Sequence, residues 1–378
     1  MESKVTGEAL ARLKRLEGYL TADPDNRTLL ADVIGQALTA GQHDSAERHV
    51  QTALARFPDD AQLQGLQGHV LLAQQRWSDA ADYFHVLLAR HPDPNLAYNL
   101  AFACQRCARH ADAVAALLPF AAQLSASAAA VLLRSLHHTG ELEQAIALIA
   151  AQEASGRVDA EFFAVASAIC LDADALEEAE RLCQAAVAGG AAPIEALVVG
   201  GSVALARTDT GTARPLLEQA IERNPREGRA WSSLGLASLL DRDLANADVQ
   251  LAKAVELMPT HIGSWHALGW CKLFRGDLAA AEAAFRHALD MDRNFGESHG
   301  GLAVVQAMLG QREQAEGGID RALRLDPQSL SARYAQMILS GVAADPEKFH
   351  AMARRLLSGR AGPFGADMAQ LVLAARGH

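Results

Sequence analysis

The chain has 378 residues, half of them apolar by count but only 5% aromatic, a mixture that with its abundant alanine favours closely packed helices. Its 45 acidic and 34 basic residues give a formal net charge of −11 at pH 7, so most of the surface repels nucleic acid and acidic membranes.

Five cysteines without regular spacing exclude a disulfide framework, and their odd number fits a reducing compartment, so a cytoplasmic location is expected. The opening residues MESKVTGEAL carry no basic-then-apolar signal. The longest nearly uncharged stretch, residues 191–206, is interrupted by Glu195 and by Gly200-Gly201. Neither a signal peptide nor a membrane-spanning helix is expected.

Residues 8–20, followed by Asp23-Pro24, are in phase with the second helix of a repeat and read as a half repeat covering the first full one. From Arg27 onward the chain repeats itself. Ala46, Ala80, Ala113, Ala145, Ala179, Ala213, Ala247, Ala281 and Ala315 recur at spacings of 32–34 residues. A second small residue follows seven places later in most units, and Pro58, Pro92, Pro225, Pro259 and Pro327 close several of them. Nine units begin near Arg27, Ala61, Pro94, Ala126, Ala160, Ile194, Gly228, Ile262 and Gly296.

In the unit at Ile262, Trp265, Leu268, Gly269 and Lys272 fall on one face of a first helix. Arg275-Gly276-Asp277 turns the chain, and Ala281, Phe285 and Ala288 form the matching face of a second helix. Gly269 and Ala281 permit close approach of the pair, with Trp265 and Phe285 expected to fill the space on either side. One such pair cannot bury its apolar faces alone, whereas a stack can. The pattern is least regular over residues 94–158, where Pro119 predicts a kink. From Leu330 another helix begins with Arg333, Gln336 and Met337 at positions where core residues are expected, so residues 330–378 read as a cap. Within it Phe364, Met368, Leu371 and Val372 form one apolar stripe, expected to seal the last repeat or, alternatively, to lie over Phe274 and Met308.

Trp231-x-x-Leu234-Gly235…Ala247…Ala254…Pro259, with its counterparts at Trp265 and at Leu302…Ala315…Ala322…Pro327, resembles the tetratricopeptide repeat. The resemblance covers residues 27 to about 329. It implies an all-α, right-handed superhelical solenoid of about nine helix-turn-helix repeats with terminal capping helices. The expected division is an N-terminal half repeat at 1–26, the repeats at 27–329 and C-terminal capping helices at 330–378.

The family lines its concave groove with first-helix residues at unit positions 2, 5, 9, 12 and 13. Here the resemblance implies a polar, aromatic and locally basic stretch with Asn95, Tyr98, Phe102, Gln105, Arg106, Arg134, His137 and His138. The last three units supply an apolar stretch with Leu236, Leu240, His266, Trp270, Phe274, Val304 and Met308. Trp270 is the expected anchor, because Trp265 already serves its unit as a packing residue. Chaperone-tail binders of the family use Lys and Asn at these positions, and Ala31, Gly35, Gly65 and His69 stand there instead, so that role is disfavoured.

Cys104-Gln-Arg-Cys107, followed by His110, lacks a second Cys-x-x-Cys and reads as packing rather than as a metal site. His137-His138 reads as a solvated pair at a helix end. No phosphate loop, nucleophile elbow or metal-binding His-Glu-x-x-His helix is present, so no enzyme and no cofactor or metal is expected. The sequence thus points to a non-enzymatic scaffold that takes a protein or peptide segment in its groove, in assembly, secretion or chaperoning of a complex. The alternatives are a self-associating scaffold and a targeting arm of a separately encoded enzyme. RNA binding is disfavoured by the acidic balance.

Overall fold

A computed structural model describes residues 2–188, 190–345, 347, 348 and 351. The stripe at Phe364, Met368, Leu371 and Val372, and with it most of the expected C-terminal cap, lies outside the described residues. The chain divides between Ile169 and Cys170 into two compact units.

Unit 1 opens with α1 (Glu2–Ala22), which lays Leu13, Leu16 and Leu20 on the next helix. Helix pairs follow: α2 (Arg27–Thr39) with α3 (His43–Arg56), α4 (Ala61–Ala73) with α5 (Trp77–Arg90), α6 (Pro94–Arg106) with α7 (His110–Leu117), and α8 (Ala126–Thr139) with α9 (Leu142–Ser155). The division falls within α10 (Ala160–Asp172). Pro119 acts where the sequence predicts a kink. After α7 the chain tightens into a 3-10 turn, Leu118–Gln123, with the proline in its first turn, where a missing N–H costs no helical hydrogen bond.

Unit 2 continues with α11 (Leu176–Val187), α12 (Ile194–Ala206), α13 (Thr210–Arg223), α14 (Gly228–Leu240), α15 (Leu244–Leu257), α16 (Ile262–Phe274), α17 (Leu278–Met291), α18 (Gly296–Met308), α19 (Arg312–Leu325) and α20 (Leu330–Leu339). All secondary structure among the described residues is helical.

The small residues do what their spacing implies. All nine marker alanines, from Ala46 to Ala315, have no exposed surface. Opposite them, glycines admit a large side chain from the second helix: a Cβ on Gly235 would lie 2.6 Å from Leu251, and one on Gly269 would lie 2.7 Å from the Phe285 ring. Close approach at these crossings is therefore obligatory.

Each first helix ends the same way. A residue with positive φ follows it, and in the turns after the first helices from α2 to α18 the next N–H reaches back to a carbonyl five residues earlier, as Asp243 N does to Ser238 O at 2.8 Å and Asp277 N to Lys272 O at 2.9 Å. Gly41, Gly140, Gly276, Gly310 and Gly341 occupy this position in half the turns, while Gln75, Ala108, Asp174, Thr208 and Arg242 occupy it in the others. A left-handed conformation costs an L-residue roughly 1–2 kcal/mol, and Thr208 is the β-branched member of the set. Thr208→Gly should therefore raise the stability of unit 2 by about 1 kcal/mol, after allowance for the freer unfolded glycine. Chemical denaturation of the pair checks this, and a loss of stability would refute the account of the turn.

Two expectations change. Trp265 is only partly buried; its indole N–H donates to Pro259 O at 2.9 Å and its ring lies 4.1 Å from that of His287. Trp231 makes the same bond to Pro225 O at 3.0 Å, and Arg333 makes it to Pro327 O at 3.0 Å. This tryptophan position ties a first helix to the turn before it, and Trp265 packs from the rim against the core around Ala247, Leu251 and Leu268 rather than lying within it. By the same token Arg333 does not interrupt the stack: α20 buries Ser331, Ala332, Ala335 and Met337 and packs on α18. Glu297 caps it from α18, accepting from Leu330 N at 2.7 Å, from Ser331 N at 3.2 Å and from the Ser331 hydroxyl.

Candidate functional site

The first-helix residues expected to line a groove separate into three environments. Position 5 lies at the contact between neighbouring first helices. Ser232 is buried with its hydroxyl 2.9 Å from that of Ser264, and a Cβ on Gly300 would sit 2.6 Å from Ala332 N. His266, one repeat on from Ser232, is enclosed there by the rings of Trp270, Phe285 and Phe295. Its Nε2 accepts from Trp270 Nε1 at 3.0 Å, its Nδ1 is buried without a hydrogen-bond partner, and burial lowers its pKa to about 4.

Position 9 packs inward. Val304 has no exposed surface and belongs to the core with Ala332 and Ala335, so the expectation that it faces a groove is corrected: α20 covers it. Leu236 is partly buried against two core clusters. Trp270 is also partly buried, with its ring 6.0 Å from Phe285, 5.6 Å from Phe274 and 6.2 Å from Tyr334 of α20. Its large ring spans first helices two repeats apart within unit 2, so packing claims most of it.

In α14, α16 and α18 exposure is concentrated at position 13, the last residue of each of these helices. Leu240, Phe274 and Met308 are 39%, 56% and 46% exposed, and Leu309 beside Met308 is 45% exposed. At the ends of α14, α16 and α18 the final side chain projects past the neighbouring helix, beyond the cover of the described residues of unit 2. The result is a row of apolar side chains on α14, α16 and α18 at intervals of thirty-four residues.

Unit 1 places a different group at the same positions. Tyr98, Phe102 and Arg106 follow one another along a single face of α6. The Tyr98 and Phe102 ring centroids are 6.3 Å apart, and Trp77, the first residue of α5, meets Phe102 edge-on at 6.1 Å. The Arg106 guanidinium lies over the Trp77 ring at 5.1 Å. Trp77 escapes a reading confined to first helices because it stands on a second helix; its aromatic character next to the αL turn at Gln75 is the signal that was available. Arg134 pairs with Glu161 at 2.9 Å.

The cysteines and histidines are also located. Cys104 is buried and its thiol is pushed up to about 11, first by burial. Cys107 donates to Ala103 O at 3.3 Å. His138 stacks on His110 of α7 at 4.1 Å with rings 14° from parallel, and burial, then His110 and His137, lower its pKa. Face-to-face rings direct their in-plane lone pairs past one another, not toward a shared ion. No cluster of three or more potential metal ligands occurs among the described residues. No helix among them is long and apolar enough to cross a membrane.

Paired helices of one recurring pattern, locked at each crossing by small residues, define an α-helical repeat scaffold. Residues 36–97 and 199–257 match one tetratricopeptide-repeat family model and residues 272–338 match another. The chain is a multi-repeat tetratricopeptide-repeat protein, and in general terms an interaction scaffold of that kind. Among solved structures, a monomeric mutant of IFIT1 with m7Gppp-AAAA is 13% identical with a TM-score of 0.56, covering 95% of each chain. TTC0263, a thermophilic tetratricopeptide protein of Thermus thermophilus, is 22% identical over 46% of this chain and 95% of its own, with a TM-score of 0.39. A MamA structure is 21% identical over 45% of this chain and 97% of its own, with a TM-score of 0.37. A comparison with curated protein sequences gives no match.

Proposed function

We propose that this chain is a non-enzymatic, cytoplasmic scaffold that holds a segment of another protein against the first-helix face of its repeats. One observation carries the reading: Leu240, Phe274 and Met308 form an exposed apolar row at a single repeat position. Exposed apolar side chains grouped in this way suit association better than isolation. Neighbouring helices in a stack lie about 8–10 Å apart, close to the rise of seven helical residues, about 10.5 Å. An amphipathic helix with apolar side chains at i, i+7 and i+14 therefore matches the row. Phe274 replaces Trp270 as the chief anchor, since Trp270 is committed to packing.

Affinity capture of partners with wild type and with the Phe274→Ser, Met308→Ser double variant tests this reading. Both side chains are about half exposed, so the variant should keep its unfolding midpoint while losing at least one protein that wild type retains. An identical captured set would count against the row. The IFIT1 mutant is seen with the capped m7Gppp-AAAA, but the net charge of −11 here disfavours a polyanion.

A further inference from the structure

We propose that Trp77, Tyr98, Phe102 and Arg106 of unit 1 form a second binding subsite, one that takes a peptide side-chain carboxylate next to an apolar residue. The inference rests on the scaffold reading but concerns a site chemically unlike the apolar row of unit 2. Arg106 carries the argument. Its neighbour Arg109 is neutralised by Asp82 at 2.6 Å and Asp112 at 2.7 Å, and Arg134 by Glu161 at 2.9 Å. Arg106 is exposed and has no carboxylate partner among the described residues. On a chain with 45 acidic residues, a guanidinium left without one is positioned for an anion from outside.

It is also held in place. The Arg106 guanidinium carbon lies 5.1 Å from the centroid of the Trp77 ring, and an arginine restrained by such a cation–π contact loses less freedom on forming a bidentate bond. The helix beneath is clamped on both sides: Asn99 is hydrogen-bonded to His69 of α4 at 3.1 Å, and Gln105 Nε2 donates to Val131 O of α8 at 2.8 Å and to Ser135 Oγ at 3.2 Å. The partly exposed rings of Phe102 and Tyr98 continue from Arg106 along α6.

Geometry sets the spacing of the ligand. Four helical residues separate Arg106 from Phe102, about 6 Å along the axis, and two residues of an extended peptide cover about 6.5 Å. The subsite therefore fits an acidic residue two positions from an apolar one. One carboxylate suits it better than a phosphate chain, because Asp82 and Asp112 are held by Arg109, three residues further along, and oppose additional negative charge.

The test uses the full chain labelled with 5-fluorotryptophan, whose four resonances are separated by assigning Trp77 through Trp77→Phe. The probe is a capped hexapeptide with one glutamate two residues before a leucine, and its control has glutamine in place of glutamate. The expected result is a saturable shift of the Trp77 resonance below about 5 mM, at least roughly fivefold weaker with the glutamine peptide. Arg106→Gln should abolish it, and Arg106→Lys should weaken it severalfold by removing the bidentate fork while retaining charge. The Phe274→Ser, Met308→Ser variant should leave the shift unchanged, so failure here and failure of the unit 2 row are separate results. No shift, equal shifts with both peptides, an unchanged shift in Arg106→Gln, or tighter binding of an oligouridylate would each overturn the proposal.

Discussion

Phe285→Ala should cost unit 2 about 3–5 kcal/mol, the loss expected when a large aromatic side chain leaves a cavity that its surroundings cannot fill. The ring has no exposed surface and lies between two glycines of successive first helices. A Cβ on Gly269 would stand 2.7 Å from it, and one on Gly301 would stand 2.6 Å away. Neither glycine has a side chain that can move into the space. The rings of His266 at 5.3 Å and Trp270 at 6.0 Å meet Phe285 edge-on, so its removal also loosens the aromatic group on the first-helix side. Because repeats couple mainly to their neighbours, the damage should appear as early loss of α16–α18 rather than as a uniform fall in midpoint. Phe285→Leu should be far milder, about 1–1.5 kcal/mol, since Leu251 on Gly235 and Leu217 on Gly201 already use that pairing. Urea unfolding followed by tryptophan emission, with Trp265 and Trp270 as nearby reporters, separates the variants. Equal costs for alanine and leucine would mean that the ring does not hold this crossing together.

The repeat was legible because its demand is steric and recurs. A helix crossing at close range admits alanine or glycine and little else, so Ala46 through Ala315 mark the second helices on their own. The irregular third pair was legible for a related reason, since Pro119 has no N–H and forces a local solution. The first-helix face was less legible. Positions 5, 9 and 13 share one helical stripe, yet Gly300 meets the next helix, Val304 lies beneath α20, and Met308 projects into solvent. Which of these occurs depends on how far the neighbouring helix reaches, a tertiary quantity that a periodicity does not contain. Trp265 packs on the core from its rim rather than within it for the complementary reason: an aromatic side chain with a polar N–H suits a rim equally well, and the carbonyl of Pro259 holds it there. Glycine alone would have found only half of the αL turns. The backward hydrogen bonds hold Gln75 or Arg242 in the same conformation, so the energetic preference for glycine is present without being decisive.

Acid should weaken the same aromatic group from within. His266 has its pKa lowered from 6.5 to about 4, first by burial, with the charge of Glu297 opposing the shift. The imidazole is therefore neutral in the folded protein at pH 7. Trp270 Nε1–H donates to Nε2, so the remaining ring proton belongs on Nδ1, and a second proton would have to displace that indole bond. In the unfolded chain His266 takes up a proton below about pH 6.5. Between that value and about 4 the unfolded state alone binds it, and stability falls with decreasing pH. Below about 4 both states are protonated and this contribution levels off. Integrated over the window the loss is on the order of 3 kcal/mol. His69, His138 and His261 are lowered in the same direction by burial and add to the slope. The contribution of His266 is isolated by His266→Gln, whose amide oxygen retains an acceptor for Trp270 and does not titrate. Denaturation midpoints measured from pH 7 to pH 4.5 should fall less steeply for the variant than for wild type. Parallel curves would show that His266 is already protonated in the folded protein or remains solvated, and that the enclosure by Trp270, Phe285 and Phe295 does not govern its charge.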